Sequence, residues 1–205
     1  MNRVSFFIDG FNVFHALDCN KSYYKYKWLD YSALAKCFIK SKDTIADIYY
    51  FTAYTEWSPD KQERHKLLVR ALTMRGVKTV FGKFKRKEKE CRLCHRIYKT
   101  FEEKQTDVNI SIKLFQCAYN DTFDTGILIT GDSDIVPAIL AVKESFPAKQ
   151  IGIVIPIGRS ADEMKNVCDF HIKMKQEHLK NSQFPDSMVI DAAKNITLNR
   201  PAKWK

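Results

Sequence analysis

Short apolar runs alternate with longer amphipathic segments along this chain. The runs are rich in Val, Ile, Phe and Tyr and carry apolar residues on both faces, which is typical of strands buried between two helical layers. We predict five such strands, over Val4–Ile8, Ile45–Tyr54, Val77–Phe84, Gly126–Thr130 and Gln150–Ile157. Strands and helices in alternation predict a doubly wound, parallel α/β sheet with right-handed crossovers.

One of the intervening segments shows the helical periodicity clearly. Val108, Ile112, Phe115 and Tyr119 are spaced so that they fall on one face of a helix, which we expect to begin near Asp107. This helix would lead directly into the fourth predicted strand.

The length and charge of the chain narrow its function. It has 205 residues, and its 34 Lys and Arg against 24 Asp and Glu give a formal net charge of +10. Such a balance favours a polyanionic partner, nucleic acid first. No repeat or flexible linker divides the chain, so we predict one domain over residues 1–180 and an extended strap over residues 181–205 that packs on it.

The sequence also bears on location. The apolar runs are far too short to span a membrane, and the first residues lack the pattern of a signal peptide. We therefore expect a cytoplasmic protein that does not bind membranes. The oligomeric state is left open, a homodimer included.

Much of the positive charge lies in one insertion, residues 83–101. Its stretch 83–99 has eight basic residues against two acids, a net +6 within the total of +10. We predict that the insertion clamps an RNA backbone, and the alternative is a solvated charged loop. Phe84, Tyr98 and Phe101 interleave with the charges and are candidates for stacking on unpaired bases. The candidate RNA-binding cations are Lys83, Lys85, Arg86, Lys87, Arg92 and Arg96.

A cysteine pair lies within the insertion. Cys91 and Cys94 have the spacing of zinc ligands, and His95 follows them. A structural zinc needs four ligands, and no second pair follows at finger spacing, so a zinc site and two free thiols are both open. If zinc binds, the missing ligands come from distant residues or another chain. The remaining cysteines are predicted to be ordinary buried thiols: Cys19, Cys37, Cys117 and Cys168.

Four aspartates lie at or near strand ends. Asp9 ends the first predicted strand, Asp132 and Asp134 follow the fourth, and Asp107 opens the helix before it. In open α/β sheets the ligand crevice lies outside the carboxyl ends of the strands, where the strand order reverses. If the first and fourth strands are neighbours, these acids converge and can bind a divalent cation such as Mg²⁺. Each acid alone is also explained by helix capping or a turn.

These segments resemble the NYN domain family of PIN-like, LabA-like ribonucleases. The resemblance rests on three segments in family order: Phe7–Asn12, Glu103–Val108 and Thr130–Pro137. The tail is similar to that of longer bacterial members in two further segments, Ser182–Asp186 and Arg200–Trp204. The similarity therefore extends over nearly the whole chain.

The resemblance implies a three-layer α/β/α sandwich with a central, mostly parallel, Rossmann-like sheet. It also implies an endoribonuclease that depends on Mg²⁺ or Mn²⁺ and that we expect to prefer single-stranded RNA. The implied metal-binding and catalytic residues are Asp9, Asp107, Asp132 and Asp134. The expected supporting residues are Asn12, Thr130, Ser133 and Lys104, the last as a substrate contact.

Two alternative functions are weighed against the nuclease. The first is a non-catalytic RNA-binding or scaffold module of the same fold, whose acids are structural. The second is a phosphatase, because Gly131–Ile135 resembles the late acidic motif of haloacid-dehalogenase-like enzymes. That family needs a second acid two residues after the first aspartate, and here the position is Phe11. The phosphatase is therefore the weaker of the two.

Overall fold

The computed structural model describes residues 1–191 and 196–205. Its strands are β1 (Asn2–Asp9), β2 (Asp43–Thr52), β3 (Lys78–Phe81), β4 (Lys83–Glu90), β5 (Ile97–Lys104), β6 (Thr125–Ile129), β7 (Gln150–Ile155), β8 (Phe170–Lys173), β9 (Ser187–Asp191) and β10 (Ile196–Asn199). Its α-helices are α1 (Gly10–Asp18), α2 (Tyr31–Lys36), α3 (Pro59–Met74), α4 (Thr106–Tyr119), α5 (Val136–Ser145), α6 (Asp162–Val167) and α7 (Gln176–Asn181). None of the helices described is long and apolar enough to cross a membrane.

The central sheet has six parallel strands in the order β3-β2-β1-β6-β7-β8. All five predicted strands lie in it, and the predicted α/β fold with a parallel sheet is confirmed. The sixth strand, β8, was not predicted. The third run is shorter than predicted, because the sheet strand ends at Phe81 and a separate strand begins at Lys83.

Gly82 makes this break. A Cβ atom there would lie 2.8 Å from the carbonyl oxygen of Lys104 and 2.9 Å from the hydroxyl of Thr106, so only glycine lets these segments approach so closely.

Two hydrophobic cores lie on opposite faces of the sheet. On β1, Phe6 and Ile8 face one core and Phe7 faces the other, as strand alternation requires. Helices α1, α2, α3 and α7 cover the first core, and α4, α5 and α6 cover the second. The three layers are therefore helices, sheet and helices.

Helix α4 forms where the apolar periodicity predicted it, with its apolar residues on two sides. Ile110 and Leu114 are fully buried against the sheet. Val108, Ile112 and Tyr119, from the predicted stripe, are 58%, 51% and 72% exposed. The apolar stripe therefore predicted the helix correctly, but the side of the helix that carries it is not the side that packs on the sheet.

The basic insertion folds as an antiparallel hairpin, β4 with β5, and most of its charged side chains are exposed. The RNA clamp and the solvated alternative therefore both stay predictions. The strands pair from Lys83 with Lys104 at the base to Glu90 with Ile97 near the tip. An ion pair of 3.2 Å between Lys87 and Glu102 joins them diagonally. Eight residues in each strand give the hairpin a length of about 25 Å.

The C-terminal segment packs on the first core. The indole nitrogen of buried Trp28 donates to the carbonyl oxygen of Pro185 at 2.9 Å, and the rings of Phe184 and Trp204 lie 5.4 and 6.3 Å from the Trp28 ring. Part of this segment forms the antiparallel pair β9–β10. The division of the chain at residue 180 stays a prediction.

The cysteines are partly as predicted. Cys117 is buried and Cys168 half-buried, while Cys19 and Cys37 are exposed, so the prediction of burial is wrong for those two. Each is the C-cap of a short helix, Cys19 after α1 and Cys37 after α2.

Candidate active site

The acids lie at the point where the strand order reverses. β1 pairs with β2 on one side and with β6 on the other, so the first and fourth predicted strands are neighbours. Asp9 is the last residue of β1, and Asp132 follows β6 by three residues. A crevice at this switch point is where open α/β sheets bind their ligands.

Asp9 is held by two hydrogen bonds in a buried position. Its Oδ1 accepts from the backbone N–H of Asn12 at 3.0 Å, which caps α1. Its Oδ2 accepts from the hydroxyl of Thr130 at 2.9 Å. Gly10 lets α1 start this close to β2, because a Cβ there would lie 2.6 Å from the ring of Tyr50. Asp9 thus caps α1 and also lines the crevice, so a structural role and a place in the site coexist.

Thr130 and Asn12 tie the loop after β6 to the start of α1. The Thr130 hydroxyl donates to Asp9 and accepts from the backbone N–H of Asp132 at 3.1 Å. The Asn12 side-chain oxygen accepts from the backbone N–H of Gly131 at 3.0 Å. These two predicted supporting residues therefore fix the relative position of Asp9 and Asp132.

Three of the four predicted aspartates converge. Carboxylate oxygens of Asp9, Asp107 and Asp132 all lie within 4.8 Å of one another. Asp134 is exposed, and its backbone N–H donates to Asp132 Oδ1 at 3.1 Å. Ser133 is also exposed, in the 3-10 turn that Asp132 caps.

Burial and mutual repulsion both raise the pKa values of the crevice acids. Burial, reinforced by the charges of Asp107 and Asp132, raises the pKa of Asp9 to about 6 against the opposing hydrogen bonds. Burial and the charges of Asp132 and Asp134 raise the pKa of Asp107. A bound cation would relieve this repulsion, and carboxylate oxygens are the ligands that Mg²⁺ and Mn²⁺ prefer.

Glu103 is a further acid of the crevice, and no role was predicted for it. Its Oε1 accepts a hydrogen bond from the hydroxyl of Thr106. Burial raises its pKa to about 7, and the charges of Asp9, Asp107 and Asp132 add to this effect. The available signal was its position four residues before Asp107 in the segment that resembles the family.

The crevice has a volume of about 210 Å³ and a mixed lining. Besides the acids and Asn12, its lining includes Phe11, His15 and Arg159. Burial and the Arg159 cation lower the pKa of His15. Arg159 follows β7, the strand next to β6, so the strand-end rule applied one strand further along would have indicated it.

Alternation along the hairpin separates its charges by face. One face carries four lysines of β4 and one of β5: Lys83, Lys85, Lys87, Lys89 and Lys104. Lys104, predicted as a substrate contact, forms an ion pair of 3.3 Å with Glu102 on this face. Neither Lys104 nor the β4 lysines line the acidic crevice.

The opposite face of the hairpin carries Glu103, paired with Phe84, and then Phe101, paired with Arg86. Arg86 is therefore the one candidate RNA contact of β4 that shares the face of Glu103. Arg92 and Arg96 lie at the tip with the cysteine pair, about 25 Å from the base.

A line of aromatic rings connects this face to the crevice. Phe11 lies 5.3 Å from Phe84, and Phe84 lies 4.7 Å from Trp57, both with edge-on geometry. Trp57 stacks on Phe101, with ring centroids 3.7 Å apart and planes 7° from parallel. Trp57 is 41% exposed, so it offers an aromatic surface beside the acidic crevice.

The chain is similar in sequence to one domain family and to a curated protein, and similar in fold to a solved structure. The sequence model of the NYN domain matches residues 3–175. A Pseudomonas putida protein named 6-hydroxy-3-succinoylpyridine 3-monooxygenase HspA is 25% identical over 217 aligned residues, which cover 88% of this chain and 68% of that protein. The crystal structure of a protein of unknown function from Vibrio parahaemolyticus has a TM-score of 0.55 and 15% identity, covering 86% of this chain and 94% of its own. That structure supports the fold alone.

Proposed function

The chain belongs to the NYN domain family, and on that premise we propose that the acidic crevice is the active site of an endoribonuclease that depends on Mg²⁺ or Mn²⁺. The observation that carries this proposal is the convergence of Asp9, Asp107 and Asp132 at the switch point of the sheet. NYN domains share a PIN-like nuclease fold, and a cluster of hard oxygen ligands fits the cations that such nucleases use.

The roles of the residues follow from their contacts. Asp9, Asp107 and Asp132 would hold the cation, and Asp134 adds negative charge beside Asp107. When bound, the cation would supply charge neutralisation at the scissile phosphate and activation of a water molecule. Thr130 and Asn12 are positioning residues, because each bridges the two strand ends that carry the acids.

Two further crevice residues have roles in this proposal, one towards the phosphate and one towards water. Arg159 supplies the positive charge among the crevice residues and would donate to phosphate oxygens. Glu103 keeps one carboxylate oxygen beyond its bond to Thr106, so it can bind a water molecule at the edge of the cluster.

We infer that the substrate is single-stranded RNA. The lysine-rich face of the hairpin would attract the phosphate backbone, and on the opposite face the exposed ring of Trp57 would stack on a base near the crevice. A base within a duplex is stacked on its neighbours and cannot use such a surface.

The non-catalytic alternative keeps the same RNA contacts and treats the acids as caps. Asp9 and Asp132 do cap α1 and the 3-10 turn. Capping alone does not explain why Asp107 and Glu103 lie beside these two acids. Their proximity is unfavourable, because it raises the pKa values of both Asp107 and Glu103. In the phosphatase alternative, the position that needs a second acid is Phe11, which lines the crevice as an apolar ring.

The decisive experiment measures cleavage of a fluorescent single-stranded RNA with Mn²⁺, alongside its double-stranded and DNA counterparts. We expect Asp132→Asn to lower the cleavage rate by about 100-fold or more, and EDTA to abolish cleavage. Asp60→Asn is the matched control, since Asp60 is an exposed acid in the first turn of α3, outside the crevice. RNA binding by Asp132→Asn should be unchanged or tighter.

Two results would contradict the nuclease. Cleavage that resists EDTA and survives Asp132→Asn would exclude this cluster as the active site. Tight RNA binding with no cleavage by the wild-type protein under any divalent cation would favour the non-catalytic module.

A further inference from the structure

The tip of the β4–β5 hairpin is a tight turn built around the cysteine pair. The backbone N–H of Cys91 donates to the carbonyl oxygen of Arg96 at 2.9 Å, and the N–H of His95 donates to the carbonyl oxygen of Cys91 at 2.8 Å. His95 closes the turn in the left-handed region, with φ of 55°. The turn is therefore ordered by its own backbone.

Both cysteines lie in this turn, separated by two residues. The backbone N–H groups of Cys94 and Leu93, and the thiol of Cys94, all donate towards the Cys91 sulfur and lower the pKa of its thiol. Such backbone donors stabilise a thiolate, the form of cysteine that binds metals. The spacing of the two cysteines within one ordered turn is that of a zinc-chelating pair.

Within the described residues, the pair has too few partners to complete a zinc site. The imidazole Nδ1 of His95 is 2.5 Å from a carboxylate oxygen of Glu90. Across residues 1–191 and 196–205, no His, Cys, Asp or Glu forms a group of three potential ligands with Cys91 and Cys94. Zinc bound by cysteines takes four protein ligands in a closed site, so half of the ligands are missing.

We propose that Cys91 and Cys94 form half of a zinc site, which the same two cysteines of a second copy of this chain complete. The tip can reach a second copy because it projects from the domain: Cys94 is exposed, and Leu93 between the cysteines is 95% exposed. Docking of two tips would cover Leu93 on both copies. The site lies outside the acidic crevice, so it stands independently of the nuclease proposal.

Charge explains why the metal is required for this contact. Each tip carries Arg92 and Arg96 against one acid, Glu90, so two approaching tips repel each other. Zinc binding to four thiols releases four protons, and the resulting four thiolates with Zn²⁺ carry a net charge of −2. The four arginines of the two tips, adjacent in sequence to the cysteine pairs, would offset this charge.

The test measures molecular mass and zinc content together, with a phosphine reductant present. We expect one zinc per two chains and a mass twice the 23.9 kDa of the chain, and we expect EDTA to return the protein to a monomer. Cys94→Ser should remove both the zinc and the dimer while leaving the thermal unfolding of the domain unchanged, since Cys94 is exposed at the tip. Cys19→Ser, another exposed thiol, is the control and should dimerise like the wild type.

Cobalt substitution identifies the ligands directly. Co²⁺ in place of zinc should give intense visible bands and sulfur-to-metal charge transfer typical of four thiolates. A monomer that binds no zinc would overturn the proposal, as would one zinc per single chain. A dimer that forms without zinc and dissociates in reductant would instead identify an intermolecular disulfide and also overturn it.

Discussion

The acidic crevice and the basic hairpin carry opposite charges and are built in opposite ways. The crevice acids lie on segments far apart in the chain, such as Asp9 and the loop at Thr130, and the parallel pairing of β1 with β6 brings them together. The hairpin lysines are neighbours in sequence, and local antiparallel pairing with simple alternation places them. The crevice charges are partly buried and repel each other, whereas the hairpin charges are exposed to water.

This difference separates stability from binding. Burying charged carboxylates together costs folding free energy, which the protein spends on positioning them for chemistry. Exposed lysines cost little and attract a polyanion over a long range. Changes in the crevice should therefore affect turnover and stability, and changes on the hairpin should affect substrate affinity.

The largest effect is expected from Asp107→Asn. It removes one of three converging carboxylates, so we expect the turnover number for RNA cleavage to fall by about 100-fold or more, with little change in RNA affinity. Single-turnover kinetics separate the two quantities. A lower RNA affinity with a normal turnover number would instead show that Asp107 contacts RNA and does not hold the metal.

The second prediction concerns stability. Asp9 has a pKa of 3.8 when unfolded and about 6 when folded, so between these values the folded state binds more protons. The free energy of unfolding of the metal-free protein therefore falls as pH rises through this window, by up to about 3 kcal/mol from Asp9. The Asp9→Asn variant has no charge to acquire at this position, so its free energy of unfolding does not fall in this way. We expect it to be more stable than the wild type by about 1–3 kcal/mol at pH 7.5.

Urea denaturation with EDTA at several pH values checks this prediction. The stability difference should shrink towards zero near pH 4, and Mn²⁺ should stabilise the wild type and not Asp9→Asn. An Asp9→Asn variant that is less stable at every pH would show that its hydrogen bonds to Asn12 and Thr130 outweigh the cost of its charge.

A smaller effect is expected on the hairpin. The double variant Lys85→Ala/Lys87→Ala removes two exposed cations from the lysine face, and we expect the Michaelis constant for RNA to rise about fivefold with unchanged turnover. The slope of log affinity against log salt should fall by about 1.4, the value for two lost contacts to a single strand. Removing Lys61 and Lys66 of α3 is a control with the same charge change. If the control had the same effect, the hairpin would contribute only its net charge.

The smallest effect is expected from Trp57. Trp28 and Trp204 are buried, so RNA that stacks on Trp57 should quench mainly its fluorescence. Trp57→Phe should lose the quenching and keep the affinity for single-stranded RNA within about threefold of the wild type. Trp57→Ala should lower that affinity by more than about threefold. Quenching that persists in Trp57→Phe would exclude this ring as the contact.

The sequence allowed the buried strands and the strand-end acids to be predicted, because both follow from short-range patterns. Asp9 and Asp132 were found by the strand-end rule, and their proximity required only that two strands be neighbours. Glu103 was not found, because its orientation depends on the alternation of a hairpin whose charged residues do not show the apolar pattern of a strand. Ile112 shows the same limit, since a helix with apolar residues on two sides does not reveal which side packs.

The pairing of β1 with β6 has a consequence for the making of the protein. The hydrogen bond from Thr130 to Asp9 joins residues 121 positions apart. At the usual speed of translation, roughly 6–24 s pass between the synthesis of these two residues. During that interval the nascent chain contains Asp9 but not yet Thr130 or Asp132, so the acidic cluster cannot form. The acidic crevice can therefore assemble only after the ribosome has synthesised β6 and the loop that follows it.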